Sequence, residues 1–235
     1  MAKSSTYFLK RGQRGLLVGK TGSGKSEQGY FHCQNAAVWP VIIFDTKIED
    51  KFFSVPSDNE TLKLIEGVEA FAKYAATPKK DMRDYILVRP TEAEFQDPEA
   101  MDAYMQVAYL RFGPVFIYID EVGNFHKNGR ALPGLMNILA RGRSKGKTTL
   151  MASQRPSGIS RSCITESDKF YIHRLTDMRD KQTLDYVIPD FSKNPNPPEW
   201  HFYHFDVATD ETVELFAPVP LLEEREGKIK KRDWL

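Results

Sequence analysis

Eight consecutive residues, Gly19-Lys20-Thr21-Gly22-Ser23-Gly24-Lys25-Ser26, carry the most specific chemistry in this chain. They follow the apolar run Leu16-Leu17-Val18 and open a segment, 27–37, that can be helical. Strand before and helix after is the context a phosphate-binding loop requires. Glycines at this spacing let the backbone curl so that successive N–H groups face phosphate oxygens beside the positive end of a helix. In such a loop Lys25 would bridge the β- and γ-phosphates of a nucleoside triphosphate, and the Ser26 hydroxyl would ligate Mg²⁺. A second group lies about 95 residues further on, where the strand-like Phe116-Ile117-Tyr118-Ile119 ends in Asp120-Glu121. Asp120 at a strand end can hold Mg²⁺ through water opposite Ser26. Glu121 beside it can orient and deprotonate a water, which favours hydrolysis over transfer to an alcohol. The expected ligands are therefore ATP and Mg²⁺, held by Gly19 to Ser26 together with Asp120.

A third stretch, Arg141-Gly142-Arg143-Ser144-Lys145-Gly146-Lys147, runs into a strand and then Gln154-Arg155-Pro156. Basic residues at a helix end ordinarily form a solvated face that suits the helix dipole. A triphosphatase, however, needs a cation for the charge that spreads over the γ-phosphoryl group, worth roughly 10³–10⁵ in rate when an arginine supplies it. Lys25 is already committed to the ground-state phosphates. Arg141 or Arg143, presented to a neighbouring subunit, would complete the site and make hydrolysis depend on assembly. Gln154, at the end of its strand, could hydrogen-bond the attacking water or the γ-phosphate.

The elements that must position these groups are strands at 15–19, 41–45, 85–88, 115–119, 148–153 and 170–173. Val41-Ile42-Ile43-Phe44-Asp45 reads as a strand buried on both faces, placing Asp45-Thr46-Lys47 at the edge where open α/β sheets hold ligands. Helical spacing is expected over 59–76, capped by Asp58 or Asn59, and over 98–112, 130–144 (interrupted at Pro133-Gly134) and 177–187. After the rigid Asn194-Pro195-Asn196-Pro197-Pro198, runs at 200–205 and 212–216 suggest an antiparallel hairpin at the sheet edge. Alternating strands and helices predict a three-layer α/β fold.

Bulk composition sets the frame. With 235 residues and 41% hydrophobic content the chain can bury one core, and the expected division is an arm at 1–13, one motor domain at 14–220 and a charged tail at 221–235. Its 33 Lys and Arg balance 32 Asp and Glu, so any nucleic-acid contact must come from a local patch. Cys33 and Cys163 alone imply neither a disulfide framework nor a zinc site, and favour a reducing compartment. No apolar run approaches the roughly 20 residues that span a bilayer, and no secretory h-region opens the chain, so a soluble, non-spanning protein is expected.

Taken together, the phosphate loop, the strand ending Asp120-Glu121, and Arg143-Ser144-Lys145-Gly146 running into Ala152-Ser153-Gln154-Arg155-Pro156 resemble the FtsK–HerA superfamily of DNA-pumping ATPases. Val41 to Lys47 is similar to that family's second strand, which ends in Asp-x-Lys. The resemblance covers roughly residues 14 to 190. In form, a motor domain with a hairpin and a charged tail, the chain is most similar to the genome-packaging ATPases of tailless icosahedral double-stranded DNA viruses with an internal membrane. The resemblance implies a RecA-like P-loop NTPase with a mostly parallel sheet, nucleotide contacts at Gly22, Gly24, Lys25 and Ser26, magnesium at Ser26 and Asp120, and Glu121 as base. It further implies Gln154 as sensor and Arg143, with Arg141 as rival, as the trans arginine. The implied partners are double-stranded DNA bound without regard to sequence, a homo-oligomeric ring, commonly a hexamer, and capsid or membrane-vertex proteins. The setting would be the host cytoplasm or the packaging vertex of the virion. Candidate DNA contacts are Lys127 and Arg130 after Glu121, and Lys228, Lys230, Lys231 and Arg232 in the tail. The residues alone leave open a plasmid-transfer or repair translocase, a small-molecule kinase, and a nucleotide-gated binding protein.

Overall fold

The computed structural model describes residues 7–48, 51, 52, 56, 60–77, 83–209 and 213–220. In chain order these form β1 (Arg14–Val18), α1 (Lys25–Gln34), β2 (Val41–Phe44), β3 (Thr61–Glu66), α2 (Val68–Ala76) and β4 (Asp84–Arg89). Next come α3 (Glu92–Phe95), α4 (Pro98–Arg111), β5 (Val115–Ile119), the short β6 (His126–Lys127) and β7 (Arg130–Ala131), and α5 (Pro133–Arg141). The described chain ends with β8 (Lys147–Ser153), α6 (Arg161–Thr165), β9 (Lys169–Ile172), α7 (Met178–Leu184), β10 (Phe202–Asp206) and β11 (Glu214–Phe216).

Nine of these strands form one sheet in the order β11-β10-β9-β1-β8-β5-β2-β4-β3. The seven strands from β9 to β3 pair in parallel, and the β10–β11 hairpin closes one edge antiparallel to β9. The expected three-layer α/β architecture with an edge hairpin is therefore what forms. The central strands are apolar throughout because both faces are covered, as parallel crossovers demand. One face carries a core of Leu16, Ile42, Ile86, Ile117 and Met151 under α2, α4 and α5. The other carries Leu17, Ile43, Leu87, Tyr118 and Tyr171 under Tyr30 and Cys33 of α1, and Tyr7 and Leu9 from ahead of β1 pack into this second core.

Two sequence-level expectations are corrected. Residues 59–76 are not one helix: Thr61–Glu66 is an edge strand paired in parallel with β4, and only Val68–Ala76 is helical. Thr-Leu-Lys-Leu-Ile-Glu also satisfies a period of two, and Gly67, at φ 86°, breaks the chain between the elements. Likewise 130–144 is not a continuous helix, since α5 begins with Pro133, whose fixed φ suits a first helical turn, and Arg130-Ala131 is strand. Asp58 and Asn59 lie outside the described residues, as do Lys228, Lys230, Lys231 and Arg232.

A buried lysine ties α4 to the sheet. Lys147 at the start of β8 is 1% exposed, and its ammonium donates to the carbonyls of Ala108 at 3.1 Å and Gly113 at 2.9 Å, and to Phe112. It thereby satisfies carbonyls that the helix end leaves without an intrahelical donor.

Candidate active site

Because β9, β1, β8, β5, β2 and β4 run parallel, their carboxyl ends share one edge, and every strand delivers a polar group there. β1 delivers the phosphate loop, β8 Gln154, β5 Asp120 and Glu121, β2 Asp45 to Lys47, β4 Arg89 and β9 His173. The loop is held from both sides: Gly19 N–H donates to the Ser153 carbonyl at 3.3 Å and Lys20 N–H to the Arg174 carbonyl at 2.9 Å. At φ 97°, Gly24 sits in the left-handed region immediately before α1, where a Cβ would be strained. Gly19 is fixed for a different reason, since a Cβ there would come within 2.6 Å of the His173 Cβ. Lys25 is 7% exposed and its ammonium donates back to the Lys20 carbonyl at 2.8 Å. Ser26 and Glu27 line the cleft over the loop.

The Thr21 hydroxyl donates to the Gln154 side-chain carbonyl at 2.8 Å, so the loop and the end of β8 touch directly. Arg155 forks onto Asp180 at 2.9 Å and Asp177 at 2.8 Å, fixing the turn after Gln154 against the start of α7.

The two carboxylates after β5 have different surroundings. Asp120 is 3% exposed, and its Oδ1 accepts from the Thr46 N–H at 3.1 Å and the Thr46 hydroxyl at 2.6 Å, while Oδ2 accepts from the Lys47 N–H at 3.2 Å. Burial pushes its pKa up to about 6, against the opposing pull of Lys47 and the Thr46 hydrogen bonds. The Glu121 side chain is 18% exposed, and among the described residues its ion pair is with the Lys47 ammonium, at a loose 3.8 Å. That ammonium also donates to the Asp120 carbonyl at 2.9 Å, so Lys47 spans both acidic residues. A hard, all-oxygen donor set of one hydroxyl and one nearly buried carboxylate fits Mg²⁺, which takes one or two protein oxygens and leaves the rest to water and phosphate. Among the described residues no group of three or more His, Cys, Asp and Glu could hold a metal by itself.

Behind the loop stands His173. Gln28 Nε2 donates to the Tyr7 hydroxyl at 2.6 Å, so the Gln28 carbonyl faces His173, whose Nε2 must carry the proton it donates. Burial and then the Lys25 charge bring the His173 pKa down to about 3, so the ring is neutral beside the loop. No site role was expected of Arg155 and His173; Thr46 and Lys47 were expected at this edge through Asp-x-Lys after β2, and their contact with Asp120 gives them a part there.

Arg141 and Arg143 are elsewhere. Both are exposed and precede β8, at the opposite edge of the sheet from Gln154. Seven residues of strand separate the two edges, a span of about 20 Å. Arg143 contacts Asp168 at 3.5 Å, a carboxylate that Arg14 also holds at 3.2 Å. The fold therefore brings Gly19 to Ser26, Asp120, Glu121 and Gln154 to one edge and leaves both arginines away from it.

Fold and site together define a P-loop nucleoside triphosphatase of the three-layer α/β class. In sequence the chain is 29% identical, over 217 residues and 88% of each partner, to the DNA packaging ATPase P9 of Enterobacteria phage PRD1. In structure it is similar to the genome packaging NTPase B204 of Sulfolobus turreted icosahedral virus 2 in complex with AMPPCP, at 18% identity and TM-score 0.68, over 88% of this chain and 98% of that one. It is also similar to the EssC ATPases 2 and 3 of Geobacillus thermodenitrificans, at 14% identity and TM-score 0.52, over 87% of this chain and 39% of that one. No protein-family model matches the chain. A phage DNA packaging ATPase is thus among its relatives in sequence, in keeping with the resemblance of its motifs, and the solved structures share its fold.

Proposed function

We propose that this chain is the ATPase of a viral genome-packaging motor, hydrolysing ATP to drive double-stranded DNA into a capsid. The observation that carries this reading is the convergence of phosphate loop, Asp120-Glu121 and Gln154 on one sheet edge. It gains weight from a chain 29% identical to a phage DNA packaging ATPase over nearly its whole length. Lys25 and the N–H groups of residues 19–26 hold the phosphates. Ser26 and Asp120 would hold Mg²⁺, which when bound neutralises charge between the β- and γ-phosphates. Glu121, the less buried and less encumbered carboxylate, orients and deprotonates the attacking water. Gln154 reports the γ-phosphate through its contact with Thr21. Arg143, or Arg141, completes a neighbour's site in a homo-oligomeric ring, by family analogy a hexamer, in which one subunit's far edge meets the next subunit's loop.

The short hairpin β6–β7 follows Glu121 after a single turn and carries Lys127 opposite Arg130 at an exposed tip. Like charges paired across a hairpin are unfavourable without an anion between them. DNA phosphates would supply that anion, without reading sequence. Capsid or membrane-vertex proteins are the further partners in this reading, in the host cell or at the virion vertex.

The testing experiment is the ATP hydrolysis rate against protein concentration, with and without long double-stranded DNA, at two salt concentrations. A specific rate that climbs with assembly, rises with DNA and loses the DNA effect at high salt is expected. A flat rate indifferent to DNA overturns the motor reading.

A further inference from the structure

Resting on the reading that this site binds a nucleotide, we propose that Trp200 and segment 218–220 form the slot for its base. The slot would hold a purine by its faces rather than by its hydrogen-bonding edge. The phosphate loop opens into a cleft of about 980 Å³ whose lining includes Trp200, Pro218, Val219 and Pro220. That size lies within the range of small-molecule and cofactor sites.

Trp200 is held there against its own preferences. It is 55% exposed, although it is the largest apolar side chain type, and its φ of 58° is left-handed. A bulky residue adopts that conformation when its surroundings impose it, and such positions gather at binding sites. Here the surroundings are the rigid segment before it. His201 N–H donates to the Pro198 carbonyl at 3.1 Å, Leu175 N–H to the Asn196 side chain at 3.2 Å, and the Lys181 ammonium to the Asn194 carbonyl at 2.9 Å. The result places the Trp200 Cβ 3.9 Å from where a Cβ on Gly24 would stand, beside the phosphate loop. On the other side Val219 packs into the core that contains Tyr7 and Phe202 and fixes the segment bearing the two prolines.

Among the described residues that line the cleft, few polar side chains are left over to read a base edge. Lys51 and Glu27, which line the cleft, engage each other at 3.2 Å, and Thr21 and Gln154 are joined at the phosphate end. Apolar walls with no dedicated reader recognise an aromatic face, which adenine and guanine share.

The test is isothermal titration calorimetry of the full chain with ATP, GTP and inorganic tripolyphosphate, on wild type, Trp200→Ala and Trp200→Phe, each with a thermal melt. Trp200→Ala is expected to weaken ATP and GTP alike by about tenfold, at the low end of the cost of losing a base–aromatic stack. Tripolyphosphate affinity should stay within about twofold, and Trp200→Phe should recover most of the purine affinity because a stacking face remains. Unchanged ATP affinity in Trp200→Ala overturns the slot, as does an equal loss for tripolyphosphate, which would mean that Trp200 only shapes the loop. A loss confined to one purine overturns face-only recognition. Wild type that binds tripolyphosphate but neither purine defeats the slot alone, whereas wild type that binds none of the three defeats the nucleotide reading with it.

Discussion

Asp120 and Glu121 are neighbours in sequence, and their different surroundings suit them to the two roles proposed above. Asp120, nearly buried and fully engaged by Thr46 and Lys47, is suited to hold a cation; Glu121, with one loose ion pair, can reach a water. Glu121→Gln is expected to keep ATP affinity within a few-fold and lower turnover by roughly 10²–10⁴, the usual contribution of a general base. Binding and single-turnover assays check this, and unchanged turnover removes Glu121 from the role. Three buried imidazoles supply a second prediction at this scale. Burial brings His32 and His173 down to about 3 and His204 to about 4. Their folded pKa values lie below the unfolded value, so they favour the native state fully above pH 6.5 and progressively less as pH falls from there toward 4. Asp120 acts in the opposite sense, since its raised pKa makes its cost greatest above about 6. Three rings outweigh one carboxylate, so Tm should fall between pH 7 and 5. Among the described residues neither His32 ring nitrogen has a hydrogen-bond partner, and the ring stacks on Tyr7 at 5.1 Å. His32→Phe should therefore keep the packing and flatten that fall in a thermal melt across pH. A Tm that drops as steeply in the variant would show that the acid sensitivity lies elsewhere.

At the scale of elements, Lys147 and the β6–β7 hairpin make separable predictions. Lys147→Met leaves helix-end carbonyls of α4 without their donor and is expected to cost about 2–4 kcal/mol in denaturant unfolding. A loss below 1 kcal/mol, taken as roughly the worth of one ordinary hydrogen bond, would mean that water replaces the ammonium. Lys127→Ala with Arg130→Ala should leave ATP turnover without DNA unchanged and reduce its stimulation by DNA, with a shallower salt slope. Full stimulation in the double variant removes the hairpin from the DNA path. These elements also mark where the sequence was readable. The central strands were legible because burial on both faces leaves unbroken apolar runs such as Val41-Ile42-Ile43-Phe44. The loop, Asp120, Glu121 and Gln154 were legible because each follows such a run. Thr61–Glu66 was not, because an edge strand is half exposed and its mixed pattern fits two periods. The hairpin was hidden because two-residue strands carry no periodicity; only Asn128-Gly129, both with positive φ, signals its turn. Trp200 and His173 were unreadable as site residues because only the strand order brings them to the loop.

For the whole molecule, the question is how Arg141 and Arg143 could serve a site they cannot reach within their own subunit, while Arg155 and Arg89 at the loop edge are engaged by Asp177 and Asp180 and by Asp45. Arg141 and Arg143 stand at the amino ends of the parallel strands, about 20 Å of strand from the loop edge. A cation at that distance, exposed to solvent, contributes almost nothing to charge at the γ-phosphate, since salt at physiological strength screens beyond about 8 Å. In the proposed ring, a head-to-tail arrangement carries a far-edge arginine to another subunit's loop and closes when the rotation allows. Arg143→Ala subunits should then bind ATP normally, because their own loops are intact, yet inactivate the wild-type neighbour they face. Mixed with wild type at rising fractions, they should depress ATPase activity more steeply than in proportion to their share, and Arg141→Ala in the same titration shows which of the two arginines acts. A strictly proportional decline for both would mean that each subunit hydrolyses ATP with its own residues, and the cation would then have to be sought at the loop edge itself, where Lys47 and Lys20 already stand.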